Sequence, residues 1–387
     1  MTQGERKLTR VVRIGRIAIG GSNPIAVQSM TKVPITDIDA TLAQIREMAV
    51  AGCEIARVAV PSRSPKVMRA LAEVVRRVND CSAWHDRPGR AGEPSPIPIV
   101  ADIHYDWRIA EGAAKAGVAK LRINPGNIGD EEKGREVARV AKEYGLPVRV
   151  GANSGSIRPE YAARFGLASP EALVESSLDQ AKLFEDEGVR DIVVSVKAAH
   201  VPTMIAAYRM ISGRCDYPLH LGVTESGFGL SGETKTAVGL GTLLAEGIGD
   251  TIRVSLTEGP VAEVRLGREI LQALELRQFG VNFISCPGCG RLEVDHLTIA
   301  REVRDAIEGA GITAPITIAV MGCTVNGMGE APGADIGVCC FRGRGQIYVR
   351  GKKVATVPDS EIPSEMLRLA KALTTTEPGE HGGRSSR

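Results

Sequence analysis

The chain has 387 residues, 43% of them hydrophobic and 24% charged, with 48 Lys and Arg against 46 Asp and Glu for a net charge of +2. That length accommodates two domains, or one large α/β barrel with an appendage, each with a core of its own. The near-neutral balance argues against a general nucleic-acid binder, and an aromatic content of 4% argues against stacking platforms for single strands. Residues 1–10 lack the apolar core of a secretory signal, and no apolar run reaches the roughly 18–20 residues of a membrane span. Eight cysteines in so long a chain read as reduced thiols or metal ligands rather than a disulfide framework, so the expected compartment is the cytoplasm.

After a β-rich lead-in at 11–19, short apolar runs alternate with helix-period segments. The strands are expected at 25–28, 55–60, 97–102, 120–123, 148–150, 192–196, 219–223 and 251–256. The helices that follow them are expected at 42–51, 65–78, 108–115, 131–144, 172–187, 203–212, 234–246 and 262–276. Eight such units fit a (β/α)₈ barrel, with a doubly wound open sheet as the runner-up. Residues 82–95, rich in Pro and Gly, interrupt the rhythm as a surface loop before a strand, at the end of a barrel that does not carry catalysis. From about 279 the pattern changes to strand (281–285), helix (297–308), strand (316–320), a Gly-rich loop, two or three strands (335–357) and a helix (363–373). The expected organisation is therefore a barrel over 1–278, a small α+β domain over 279–373 and a disordered tail over 374–387.

Catalytic groups of a barrel come from the C-terminal ends of its strands. Those ends supply Gln28 and Ser29, Arg57, Asp102 and His104, Arg122 and Asn124, Arg149 and Asn153, Lys197, Glu225, and Arg253 and Ser255. Any one Arg is as well explained by a neighbouring carboxylate, but four or five cations on one rim call for a multiply charged anion such as a diphosphate. The turn Asn124-Pro125-Gly126-Asn127 offers backbone N–H groups suited to phosphate and equally to an ordinary loop. His104 is a secondary candidate for proton donation. Gly227 to Gly232 spells G-x-G-x-x-G, but in the seventh unit and without an acidic end to the next strand, so no dinucleotide site is expected.

In the last domain Cys286 and Cys289 stand two residues apart, and Cys323 is followed by Glu330 across a Gly-rich stretch. Three thiols and a carboxylate can hold a soft metal or an iron–sulfur cluster. A zinc-dependent hydrolase of a phosphorylated substrate is the competing reading. Cys53, Cys81, Cys215, Cys339 and Cys340 read as structural, with one of the last pair open as a fourth ligand.

Taken together, VQSMT (27–31), ADIHYD (101–106), LRINPGNIG (121–129), SVKA (195–198), HLGVTE (220–225), GIGDTIRVSLT (247–257), FISCPGCGR (283–291) and MGCTVNGMGE (321–330) resemble the bacterial 4-hydroxy-3-methylbut-2-enyl diphosphate synthases over about residues 8–373. The resemblance implies a TIM barrel joined to a cluster domain and a [4Fe–4S] cluster on Cys286, Cys289, Cys323 and Glu330. It implies reduction of 2-C-methyl-D-erythritol 2,4-cyclodiphosphate, with electrons from flavodoxin or ferredoxin. Substrate contacts then fall on Arg57, Arg122, Arg149, Lys197, Arg253 and Ser255, with Asp102, Asn124, Asn153 and Glu225 near the reacting end. Glu330 becomes an exchangeable oxygen ligand, and Glu225 and His104 become proton donors. Two departures stand out: Met328 where the family usually has Pro, and the 82–95 insertion. Independently, a last barrel helix ending near 276 leaves only a few residues before 281, too few to bring the cluster domain round to its own barrel's mouth. A homodimer in which each cluster domain caps the partner's barrel is therefore expected.

Overall fold

The computed structural model describes residues 5–80, 96–124, 126–167 and 169–375. The loop expected at 82–95 lies outside the described residues, as does the tail beyond 375. Two compact units form, Met1–Arg277 and Gln278–Arg387.

The first unit begins with a hairpin, β1 (Val12–Ile14) and β2 (Ile17–Ile19). Eight β/α units follow: β3 (Ala26–Met30) and α1 (Ile38–Val50), β4 (Ile55–Val60) and α2 (Pro65–Asn79), β5 (Ile99–Ile103) and α3 (Ile109–Lys115), β6 (Lys120–Ile123) and α4 (Glu131–Glu143). Next come β7 (Val148–Asn153) with α5 (Pro159–Phe165) and α6 (Pro170–Asp186), β8 (Ile192–Lys197) and α7 (Val201–Ser212), β9 (His220–Leu221) and α8 (Gly229–Ala245), β10 (Thr251–Ile252) and α9 (Pro260–Ala273). Every strand pairs in parallel with its neighbours in sequence, β10 pairs with β3, and a bridge from Val194 to Leu219 joins β8 to β9. A doubly wound sheet would reverse its strand order at a switch point; a monotonic order whose ends meet is a barrel.

Local sequence explains the helices. Asp37, Ser64, Asp130 and Ser169 cap α1, α2, α4 and α6 through side-chain acceptors, and α2 buries Val67, Ala70, Leu71, Val74, Val75 and Val78 at helical spacing. The helix after β7 begins earlier than periodicity suggested and is preceded by the short α5, which buries no residue and so leaves no apolar stripe to read. The last two strands are shorter than expected, because pairing to both neighbours ends after Leu221 and Ile252. At the N-terminal end of the barrel, Val12, Ile14 and Ile19 of the hairpin pack on Ala26, Ile55, Val100 and Val193, which plugs that end.

The second unit is a five-stranded sheet of β11 (Asn282–Ser285), β12 (Thr317–Met321), β13 (Ile336–Phe341), β14 (Arg344–Val349) and β15 (Lys352–Pro358). The first three strands are parallel and the last two pairings antiparallel. Alternation along β12 and β13 sorts the side chains. Ile318, Val320, Ile336, Val338 and Cys340 face α10 (His296–Gly309) and α12 (Ile362–Thr375). Ala319, Met321 and Cys339 face the other way, toward α11 (Thr324–Gly333) and Cys286. The stretch expected as a Gly-rich loop is thus a helix, starting directly after Cys323. Its glycines allow close packing: an added Cβ on Gly327 would meet Cys339, and one on Gly337 of β13 would fall on the backbone of Ala331.

Gly337→Ala should therefore push α11 off the sheet. A loss of about 1–3 kcal/mol is expected from overpacking against backbone, read by urea unfolding of the whole chain. An unchanged midpoint would remove this packing argument.

Candidate active site

Strand register decides which side chains enter the barrel. Asp102 pairs with Arg122 and Arg122 with Arg149, so the three share one face, and Val193, opposite Arg149, packs on the interior plug. Stepping by two from these positions places Arg57, Asp102, His104, Arg122, Asn124, Arg149, Asn153, Lys197, Arg253 and Ser255 on lumen faces. Asn153 and Lys197 are themselves paired across β7 and β8. The structure brings these ten together at the C-terminal end of the lumen. Glu225 is different: it is exposed in the loop after β9, with a left-handed backbone at φ 54°.

Asp102 is the hub of this cluster. Arg122 Nη1 donates to its Oδ1 at 2.8 Å, Arg57 Nε lies 3.7 Å from Oδ2, and His104 Nε2 is 3.4 Å from Oδ1. Burial works against its ionisation, but the guanidiniums of Arg57 and Arg122, helped by His104, hold its carboxyl well below the usual range. Arg122 Nη1 also lies 2.7 Å from His104 Nε2, and Asn127 Nδ2 lies 3.1 Å from Nδ1. Arg122 at one ring nitrogen and Asn127 at the other hold the imidazole beside Asp102. Asn124 donates to Ser156 Oγ at 2.7 Å and accepts from Gly126 N at 3.0 Å, which fixes the turn above β6.

One residue deeper in the alternation lie Gln28, Lys120, Ser195, His220 and Thr251, all buried. The charge count is then lopsided. Buried Arg57, Lys120, Arg122, Arg149 and Lys197, with half-buried Arg253, lie on lumen faces beside Asp102; of the other two buried carboxylates among the described residues, Asp250 is paired with Arg6 and Glu263 sits on α9. Glu263 accepts from Ser29 Oγ at 2.7 Å and Leu256 N at 3.0 Å, pairs with Lys32 at 3.0 Å and stands 4.0 Å from Arg253. Burial, reinforced by the neighbouring cations, pushes Lys120, Arg149, Lys197 and His220 well below their ordinary values. Arg149 Nε and Nη1, Lys120 Nζ and Arg253 Nε have no hydrogen-bond partner among the described residues. Donors buried without acceptors are costly, and a polyanion bound there would supply what they lack.

In the second unit Cys286, Cys289 and Cys323 line one cavity of about 140 Å³, with Arg291, Leu292, Val325 and Asn326 on its walls. The Gly322 N–H points at Cys286 Sγ, 3.2 Å away. Cys339 and Cys340 are buried outside that lining; burial raises both thiols, Cys340 to about 12, so they are poor thiolates. Glu330 does not line the cavity. It is exposed on α11, seven residues and so about two turns beyond Cys323, on the same side of the helix. Among the described residues no three or more His, Cys, Asp or Glu gather around a point fit for a single ion. The three thiols, with a backbone donor already on one sulfur, fit a thiolate-held cluster in their chemistry.

A model of the GcpE TIM-barrel domain matches residues 9–268, and one of the GcpE protein C-terminal domain matches residues 282–372. The chain belongs to the GcpE family. A Streptomyces avermitilis relative is 45% identical over 370 residues, covering 95% of this chain and 91% of its own, and is named 4-hydroxy-3-methylbut-2-en-1-yl diphosphate synthase (flavodoxin) 1. Relatives from Frankia casuarinae (46% over 371 residues, 96% and 91% covered) and Salinispora arenicola (45% over 380 residues, 97% and 92% covered) carry the same name without the final numeral. The zinc-hydrolase alternative finds no support in these names.

In this GcpE-family chain the strand ends point to Gln28 but to no other member of the deeper lumen layer. Lys120 stands two residues before Arg122 and His220 two before Gly222, so the period of two that defines a strand face was the available signal. No helix among the described residues is long and apolar enough to cross a membrane.

The depressed Lys197 makes anion binding pH-dependent. An anion raises its pKa, so binding takes up a proton between the free and bound values, and affinity falls as pH rises through the bound value. For the empty protein, the unfolded chain binds more protons below about pH 10.4, so stability rises with pH from the depressed value up to there. Calorimetry with inorganic pyrophosphate in two buffers of different ionisation enthalpy should show net proton uptake, reduced in Lys197→Met. Equal heats in both buffers would refute it.

Proposed function

We infer that the protein reduces 2-C-methyl-D-erythritol 2,4-cyclodiphosphate to 4-hydroxy-3-methylbut-2-enyl diphosphate, opening the ring and releasing an oxygen as water. The observation that carries the reading is the surplus of buried cations in the barrel lumen, in a chain that also sets three thiols around one cavity. The surplus calls for a ligand with the charge of a diphosphate. Cys286, Cys289 and Cys323, with Glu330 as the fourth residue, would hold a [4Fe–4S] cluster. When bound, that cluster supplies the two electrons one at a time, from flavodoxin or ferredoxin.

The chain's own residues do the rest. Arg57, Arg122, Arg149, Lys197 and Arg253, with Ser255, bind the diphosphate and stabilise the charge that grows on it as the carbon–oxygen bond breaks. Asp102 keeps the Arg57 and Arg122 guanidiniums aimed into the lumen. Asn124 and Asn153 orient the carbon skeleton through neutral amides. His104, held beside Asp102, and Glu225, exposed on the loop after β9, are the proton donors for the departing oxygen.

The site draws on two copies of the chain. α9 runs antiparallel to its strand, so it delivers the chain to the plugged end, and residues 274–281 separate Ala273 from Asn282. Fully extended, these eight residues span under about 30 Å, a short connector that favours a site completed by a second copy. Tyr105, Leu167 and Phe228 on loops and Leu230 in the first turn of α8 are exposed apolar side chains of the barrel unit, and Val325 and Met328 are exposed on α11, which begins directly after Cys323. Both surfaces suit a covering partner, here the second copy.

Anaerobically purified protein should be brown, contain iron and sulfide, and convert the cyclodiphosphate with a low-potential donor; Cys323→Ser should lose all three properties. Colourless, iron-free active protein would overturn the reading. Mixing Cys286→Ala with Lys197→Ala, each inactive alone, should restore up to about a quarter of wild-type activity at equal mixing, because one site in each mixed dimer is intact and half the dimers are mixed. No recovery in verified mixed dimers would refute sharing. Glu330→Ala with full activity and an unaltered visible spectrum would exclude Glu330 as a ligand.

A further inference from the structure

Two nitrogens from different elements approach Cys286 Sγ. One is the Gly322 backbone N–H at 3.2 Å; the other is Nε2 of His296, the first residue of α10, at 3.4 Å. His296 is buried, and the same Nε2 lies 2.8 Å from the Cys286 carbonyl oxygen. A carbonyl oxygen only accepts, so Nε2 carries the proton, shared between that oxygen and the sulfur. Nδ1 is buried with no partner among the described residues, so no competing bond draws the ring away.

Packing holds the ring in place. A Cβ on Gly322 would come within 2.9 Å of the His296 Cγ, so only glycine lets the ring and that N–H converge on one sulfur. Asp295 caps α10 by accepting from Thr298 N at 3.3 Å and from Thr298 Oγ1 at 2.8 Å, which fixes where the first turn, and so His296, begins. A histidine serving only as core would not need a donor aimed at both the backbone and the sulfur of one cysteine.

We propose that His296 is a positioning residue for the cluster: its Nε2–H anchors the Cys286 loop through the carbonyl and donates to the Cys286 thiolate, stabilising the reduced state. The inference rests on Cys286 being a cluster ligand. Reduction adds negative charge that spreads onto the ligating sulfurs. A donor on that sulfur favours the reduced form, so removing it lowers the midpoint potential.

The test is a potentiometric titration, followed by electron paramagnetic resonance, of anaerobically reconstituted wild type, His296→Phe and His296→Gln. In His296→Phe the reduced-to-oxidised ratio at a fixed potential should fall about tenfold, or 59 mV for one electron. His296→Gln, whose amide N–H can still reach the sulfur, should recover most of that shift. Equal midpoints in the three proteins at equal iron and sulfide content overturn the proposal. If His296→Phe does not load, pulsed resonance on wild type labelled with ¹⁵N-histidine and reduced without substrate decides: a histidine nitrogen coupling is expected, and its absence overturns the proposal. Wild type that takes up no iron and sulfide instead defeats the reading of the three cysteines, so the two failures are distinguishable.

Discussion

Like charge held inside a closed barrel is the constraint on which the substrate half of this molecule depends. Among the described residues six cations share the lumen with Asp102, while Glu263 of α9 stands 4.0 Å from Arg253, and both carboxylates are already engaged by several donors. Neither satisfies Arg149 Nε and Nη1 or Lys120 Nζ, which have no hydrogen-bond partner among the described residues. The protein accepts this frustration because eight parallel strands and their surrounding helices bury enough apolar surface to outweigh it. An anionic ligand bound there would supply the missing negative charge, and affinity and charge neutralisation would be one event. Lysines can meet the same demand by losing a proton, whereas guanidiniums cannot, which is why the lumen's response to pH lies with Lys197 and Lys120.

The second unit solves a different problem with the same alternation. One face of its sheet is ordinary core, filled by α10 and α12; the other carries small residues that let α11 press close to β13. That asymmetry places Cys323 at the start of α11, Cys286 at the end of the β11 run, and the Gly322 N–H between them. Packing on one face therefore sets the thiols on the other. The short distances around Cys286 belong to this arrangement rather than to the cysteine motif itself.

Much of this was legible in the sequence because two periodicities are strong. The eight apolar runs separated by helical segments imply the barrel, and residues at strand ends imply the cation cluster. What escaped had identifiable physical causes. Lys120 and His220 sit one alternation below the rim, where reading stopped at strand ends. α11 contains Gly327, Gly329, Pro332 and Gly333, a composition with poor helix propensity. It is helical because Gly327 and Gly337 permit tertiary contacts that propensity does not register. Met328, unlike a proline, keeps a backbone donor within that helix. His296 lies ten residues from Cys286, with no metal-ligand spacing to mark it; only the fold of α10 onto β11 and β12 brings the two together.

The hairpin under the barrel has a kinetic meaning. Because β1 and β2 seal one end, the lumen is a blind well rather than a passage. Reactant and product must use the same doorway in opposite directions, and each turnover ends only when the doorway clears. A tightly held diphosphate product would then block its own successor, so the grip that makes the lumen a good binding site also limits how fast it can be emptied.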